Sequence, residues 1–135
     1  MRRLAVVLVA MGIALLGWGC KGGPGQHEAP KTDFYSVKVQ PIFRANCYRC
    51  HGGMNHRGGL SLATQAGILK GGKHGPAVVP GDPAKSLLVQ LIRHEQMADL
   101  KPMPPKSPKI SDADIAVVEQ WIKAGAIIPE DAASR

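Results

Sequence analysis

Hydrophobic residues fall at helical spacing in four short stretches of this chain, and no stretch shows the alternation of a half-buried strand. Phe34, Val37, Ile42 and Phe43 give a partly helical pattern with Asp33 placed to cap it, and Pro41 must either kink that helix or begin its second half. A short helix is expected around Thr64 to Leu69. Gly81-Asp82-Pro83 reads as a helix start, because Asp82 can accept from the free amides of a first turn while Pro83 lacks an N–H where none is needed. Leu87, Leu88, Leu91 and Ile92 then form one apolar face through about Arg93. Ser111-Asp112-Ala113-Asp114 resembles a capping box with Asp in the usual Glu position. Ile115, Val118 and Ile122, flanked by Trp121, give the last helix its face, and Gly125 stops it.

The intervals are rich in glycine and proline. Lys70 to Pro80 should be irregular, and Lys101 to Pro108, with four prolines, should be an extended segment that joins neither neighbouring helix. The start of the chain differs from the rest: Arg2 and Arg3 precede Leu4 to Trp18, a fifteen-residue run without a charge. That is the form of an export signal and is short of the ~20 apolar residues of a spanning helix. The expected organisation is a signal over 1–19, of lipoprotein type, a flexible tether over 20–32, one domain over 33–128 and a tail over 129–135. Gly19-Cys20 resembles a lipidation site, which would anchor the exported chain to a membrane through Cys20. Ordinary cleavage near this point would instead leave Cys20 as a thiol.

With 135 residues and 4% aromatic content, the chain can build one small domain with few large side chains in its core. Without the two signal arginines it carries 15 Lys and Arg against 10 Asp and Glu. The excess suits a solvated surface or docking to an acidic redox partner. It does not suit nucleic acid, since the basic residues lack an aromatic platform or a recognised binding motif.

The sharpest chemistry lies in Cys47-Tyr48-Arg49-Cys50-His51. Two thiols three apart, followed at once by a histidine, form the attachment signature of c-type haem: each thiol adds to one haem vinyl group, and His51 binds the iron as proximal ligand. A cofactor with a large apolar surface would also help fill a core poor in aromatics. Met103 is the candidate distal ligand, in a loop stiffened by Pro104 and Pro105. Met54 is too near His51 to cross the ring. Met97 and His94 could reach only if the end of the Leu87 helix points at the iron, and His56 and His74 sit in loops. Two other chemistries use close thiol pairs. Zinc could take Cys47, Cys50 and His56, although a second close ligand pair is missing. A thioredoxin-like dithiol would need a βαβ setting that the chain lacks.

Around this motif the residues resemble the planctomycete-type cytochrome c domains. The likeness runs through Pro41-Ile42-Phe43, Asn46 to Gly52, Gly58 to Leu62, Gly75 to Pro83, Ser86-Leu87-Leu88, Met103-Pro104-Pro105 and Trp121 to Ala126, about residues 34 to 127. It departs where Pro102 separates Lys101 from Met103. The resemblance implies an all-α, small cytochrome c-like fold of short helices and long loops around one covalent haem c on Cys47 and Cys50, with His51 proximal and Met103 distal. The expected function is a monohaem electron carrier, not an enzyme, working in the periplasm or cell envelope between a redox protein donor and acceptor. The alternatives are a haem sensor or catalytic haem subunit with an open sixth position, or a zinc-stabilised binding module.

Overall fold

The computed structural model describes residues 34–97, 99–129 and 132. The signal segment, the tether with Cys20, Asp33 and most of the tail lie outside the described residues. Among the described residues every regular element is a helix, and the other pairings are two isolated bridges, Gly72 with Gly75 and Met97 with Leu100. The chain is helical, as expected.

Pro41 decides how the first helix is built, because it has no N–H to give to a preceding turn. After Phe34, where the described residues begin, comes a π-helical turn, Tyr35–Val39, whose carbonyl at Tyr35 accepts from the Gln40 amide. An ordinary helix, α1, then runs over Gln40–Asn46 with Pro41 in its first turn, where a missing donor costs nothing. Pro41 therefore begins a second half. The wider first turn also rotates the inward face: Tyr35, Val39, Ile42 and Phe43 are buried, whereas Val37, expected on that face, is 64% exposed.

A one-turn helix, α2, Tyr48–His51, follows, then a 3-10 turn at Arg57–Gly59 and helix α3, Gln65–Lys70. Thr64 caps α3, its hydroxyl accepting from the Gly67 amide at 3.0 Å. Gly71 ends it at φ 72°, ψ −157°, a region nearly confined to glycine. A Cβ there would also strike the Gly75 carbonyl oxygen.

The next helix, α4, begins at Leu87 and ends at Ile92, later than the Asp82 start that the sequence suggests. Asp82 does accept from the Lys85 amide at 3.1 Å and pairs with the Lys85 ammonium at 2.9 Å, but these close only a separate turn. Ser86 interrupts it. Its fully buried hydroxyl accepts from the Val79 amide at 2.9 Å and donates to the Asp82 carbonyl at 2.8 Å. These bonds hold Ser86 extended, so the turn and α4 cannot be one helix. The inward face shifts with the start: Leu88, Val89 and Ile92 are buried, while Leu87 and Leu91 are half-buried.

Lys101 to Pro108 is not extended throughout. The chain bends at Met103 and Pro104, joined by a cis peptide, and turns at Pro105 and Lys106, with Lys106 at φ 61°. Helix α5, Asp112–Lys123, is capped by Ser111, whose hydroxyl accepts from the Asp114 amide at 3.1 Å and donates to its carboxylate at 2.8 Å. Ile115, Val118, Trp121 and Ile122 are buried, and Gly125, at φ 110°, turns the chain away. This helix packs on the π-helical turn and on α4. At the centre Trp121 meets Tyr35 and Phe43 at ring-centroid distances of 5.6 and 5.7 Å. Its indole N–H donates to the Ile127 carbonyl at 2.9 Å.

Candidate functional site

The Cys47 to His51 segment leaves α1 directly and forms a single helical turn. The Cys47 amide donates to the Phe43 carbonyl at 2.8 Å, and the Cys47 carbonyl accepts from the amides of Cys50 at 3.0 Å and His51 at 2.8 Å. Side chains three and four apart on such a turn are neighbours, roughly 5–6 Å between Cβ atoms. The two thiols and the imidazole therefore share one face. No disulfide joins Cys47 to Cys50, and both are partly exposed.

The core fixes this turn in place. Ile42 and Phe43 anchor α1, while Cys47, Tyr48, Leu60 and Met103 pack against the same core from its edge. The Tyr48 and Tyr35 hydroxyls are 3.0 Å apart, and the Arg44 guanidinium lies 6.0 Å from the centre of the Tyr48 ring. The following loop folds back on the motif: Leu62 donates its amide to the His51 carbonyl at 2.8 Å, and the Asn55 side chain donates to the Arg49 carbonyl at 3.1 Å.

Electrostatics separate the candidate chemistries. Burial, reinforced by Cys50, pushes the Cys47 thiol up to about 12. Dithiol catalysts need the opposite, a thiolate near neutral pH, so the first cysteine is poorly suited to that role. Burial holds the His51 pKa below the ordinary imidazole range, against the opposing pull of the Leu60 and Arg57 carbonyls, so the ring is neutral at pH 7 with a lone pair to give. Its Nδ1 is buried and makes no hydrogen bond. A polar atom so left costs about 1–3 kcal/mol, a cost that only a partner bonded at that nitrogen would offset. Two free thiols and a neutral imidazole on one face fit a c-type haem. For zinc the setting is poor: among the described residues no three His, Cys, Asp or Glu side chains are gathered as a metal ion requires.

The distal candidates are sorted by their surroundings. Met103 is half-buried at the core edge, and its amide donates to the Leu91 carbonyl at 3.0 Å, which fastens its loop to the end of α4. His94 shares that carbonyl through its own amide at 3.2 Å and has a buried Nε2 without a hydrogen bond. Met54 is 97% exposed, and His56 and His74 are exposed. Met97 is half-buried in its bridge to Leu100.

Sequence reasoning missed three supports of the site: the Tyr35–Tyr48 hydroxyl pair, the Leu91 carbonyl that carries the Met103 loop, and the Asn55 bond across the motif. Only the first leaves a sequence signal, a tyrosine inside the motif and another one helix earlier. No helix among the described residues is long and apolar enough to cross a membrane. Residues 47–107 match the family model of planctomycete cytochrome C, and the match points to haem binding and electron transfer. No curated protein and no solved structure matches the chain.

Proposed function

We propose, from the premise that residues 47–107 carry a planctomycete cytochrome C domain, that the chain is a monohaem c-type cytochrome passing single electrons between redox partners outside the cytoplasm. The observation that carries this reading is the single helical turn that puts two free thiols and a neutral imidazole on one face. Cys47 and Cys50 hold one haem c by thioether bonds, His51 is the proximal ligand and Met103 the distal one. When bound, haem supplies a one-electron iron couple whose potential the axial ligands and burial set. The chain's part is to fix those ligands and keep water from them, with Phe43 and Leu60 packed beside the turn. Cys20 is proposed as the lipid-bearing residue, tethering the domain to a membrane. The role is that of a carrier and not of an enzyme.

Met103→Ala tests the ligand assignment. The variant is expected to lose the methionine-to-iron charge-transfer band of the oxidised protein and to fall in reduction potential, since a thioether raises the potential relative to other ligands. His94, beside the same carbonyl, is a second reading for the distal position. Absence of the charge-transfer band from the oxidised parent, or its retention in Met103→Ala, would contradict the Met103 assignment.

A further inference from the structure

Charge is divided along this chain unevenly. Residues 34 to 81 contain no Asp or Glu but six Lys and Arg, namely Lys38, Arg44, Arg49, Arg57, Lys70 and Lys73. Residues 82 to 129 contain six Lys and Arg balanced by six Asp and Glu. The net charge of the folded span therefore sits on the half that holds the Cys47 to His51 turn.

The fold gathers this charge around the turn. Arg49 belongs to the turn itself, the Arg57 carbonyl lies beside the His51 ring, and the Lys73 amide donates to the Gly58 carbonyl at 2.8 Å. Arg49, Arg57, Lys70 and Lys73 are exposed. The ion pairs Lys85–Asp82, Arg93–Glu95, Arg93–Glu119 and Lys109–Asp112 lie in the other half. Met54, in the loop between Arg49 and Arg57, is 97% exposed and puts an adaptable apolar side chain among the charges. An apolar centre with a charged rim is the anatomy of a protein interface.

We infer that this face is the docking surface for an acidic redox protein, a one-electron carrier that presents carboxylates around its own cofactor. The inference rests on the cytochrome reading. Complementary charge steers such encounters and raises association rates by ~10–1000-fold at low salt. Two ionised haem propionates would still leave this half at about +4. An anionic membrane suits the face less well, because surface-bound elements dip a row of apolar side chains on one helix into lipid, whereas the exposed apolar residues of this half, Val37, Met54 and Leu69, lie on three separate segments: the π-helical turn, a loop and α3.

The test uses the full haem-loaded chain and a reduced, acidic plant-type ferredoxin at about −400 mV as probe. One electron leaves the reduced [2Fe–2S] cluster and converts the haem iron from ferric to ferrous, and its second-order rate is followed by stopped-flow absorbance. The rate is expected to fall at least about tenfold between roughly 20 and 300 mM salt, and about tenfold at low salt in Arg49→Glu/Arg57→Glu/Lys73→Glu. The equally charged control Lys85→Glu/Lys109→Glu/Lys123→Glu should change it less than about twofold. Equal slowing by both triple variants, or by neither, overturns the docking face. So does a salt-independent rate in a chain that sediments with phosphatidylglycerol vesicles through Arg49, Arg57 and Lys73. A chain without the c-type haem spectrum before mixing overturns the cytochrome reading and the docking face together, whereas a normal spectrum with no salt dependence overturns the docking face alone.

Discussion

A chain in which Cys47 and Cys50 are both alanine is expected to retain no covalent haem when made in cells that carry a haem-attachment system. The two thiols are three residues apart on one helical turn, so both could bond one haem from the same side. His51 would keep its place on that turn and its neutral ring, so loosely held haem could remain until the protein is denatured. Haem staining of a denaturing gel separates the cases: signal in the parent, reduced signal in each single variant, and none in the double variant. Covalent haem surviving in the double variant would mean that Cys47 and Cys50 are not its attachment points.

Trp121→Ala should cost the fold about 3–5 kcal/mol, the range for truncating a large buried aromatic residue. The chain has six aromatic residues, and three of them, Tyr35, Phe43 and Trp121, meet at the centre of the core. Losing the indole removes two ring contacts worth ~0.5–1.5 kcal/mol each and leaves the Ile127 carbonyl without its donor. Since small domains are stable by roughly 5–15 kcal/mol, this one change takes a large share. It should also loosen the site, because Phe43 carries the Cys47 turn. Denaturant unfolding of the haem-loaded chain, followed by far-ultraviolet circular dichroism, reads the effect. A loss below about 1 kcal/mol would contradict the central place given to Trp121.

Where a structural feature depended on neighbours in sequence, it was legible. The spacing of Cys47, Cys50 and His51 needs only one helical turn to bring the three residues to one face, and the Ser111 cap, the buried face of α5 and the stop at Gly125 are equally local. Misreadings came where distant groups intervened. Asp82-Pro83 is a sound local start, but Ser86 is bound to Val79 and Asp82 inside the protein, which postpones the helix to Leu87. Val37 falls on the helical face at ordinary spacing, but the π-helical turn that accommodates Pro41 turns it to solvent. The prolines of 101–108 suggest an extended rod, yet the Leu91 carbonyl holds Met103 at the end of α4, and the chain bends there.

The charge division shows a different limit. Every residue in it was visible from the start, but the total hides it, because one half of the folded span is electrically balanced. Only the bonds that bring the Arg57 and Lys73 loops to the Cys47 turn give the basic half a location.

The most direct test of the whole account is the pyridine haemochrome spectrum of the full chain made with a haem-attachment system, taken after acid-acetone extraction. The expected result is a c-type spectrum equivalent to one haem per chain that stays with the protein. Haem that washes out, or a protein fraction with no haem at all, would contradict it.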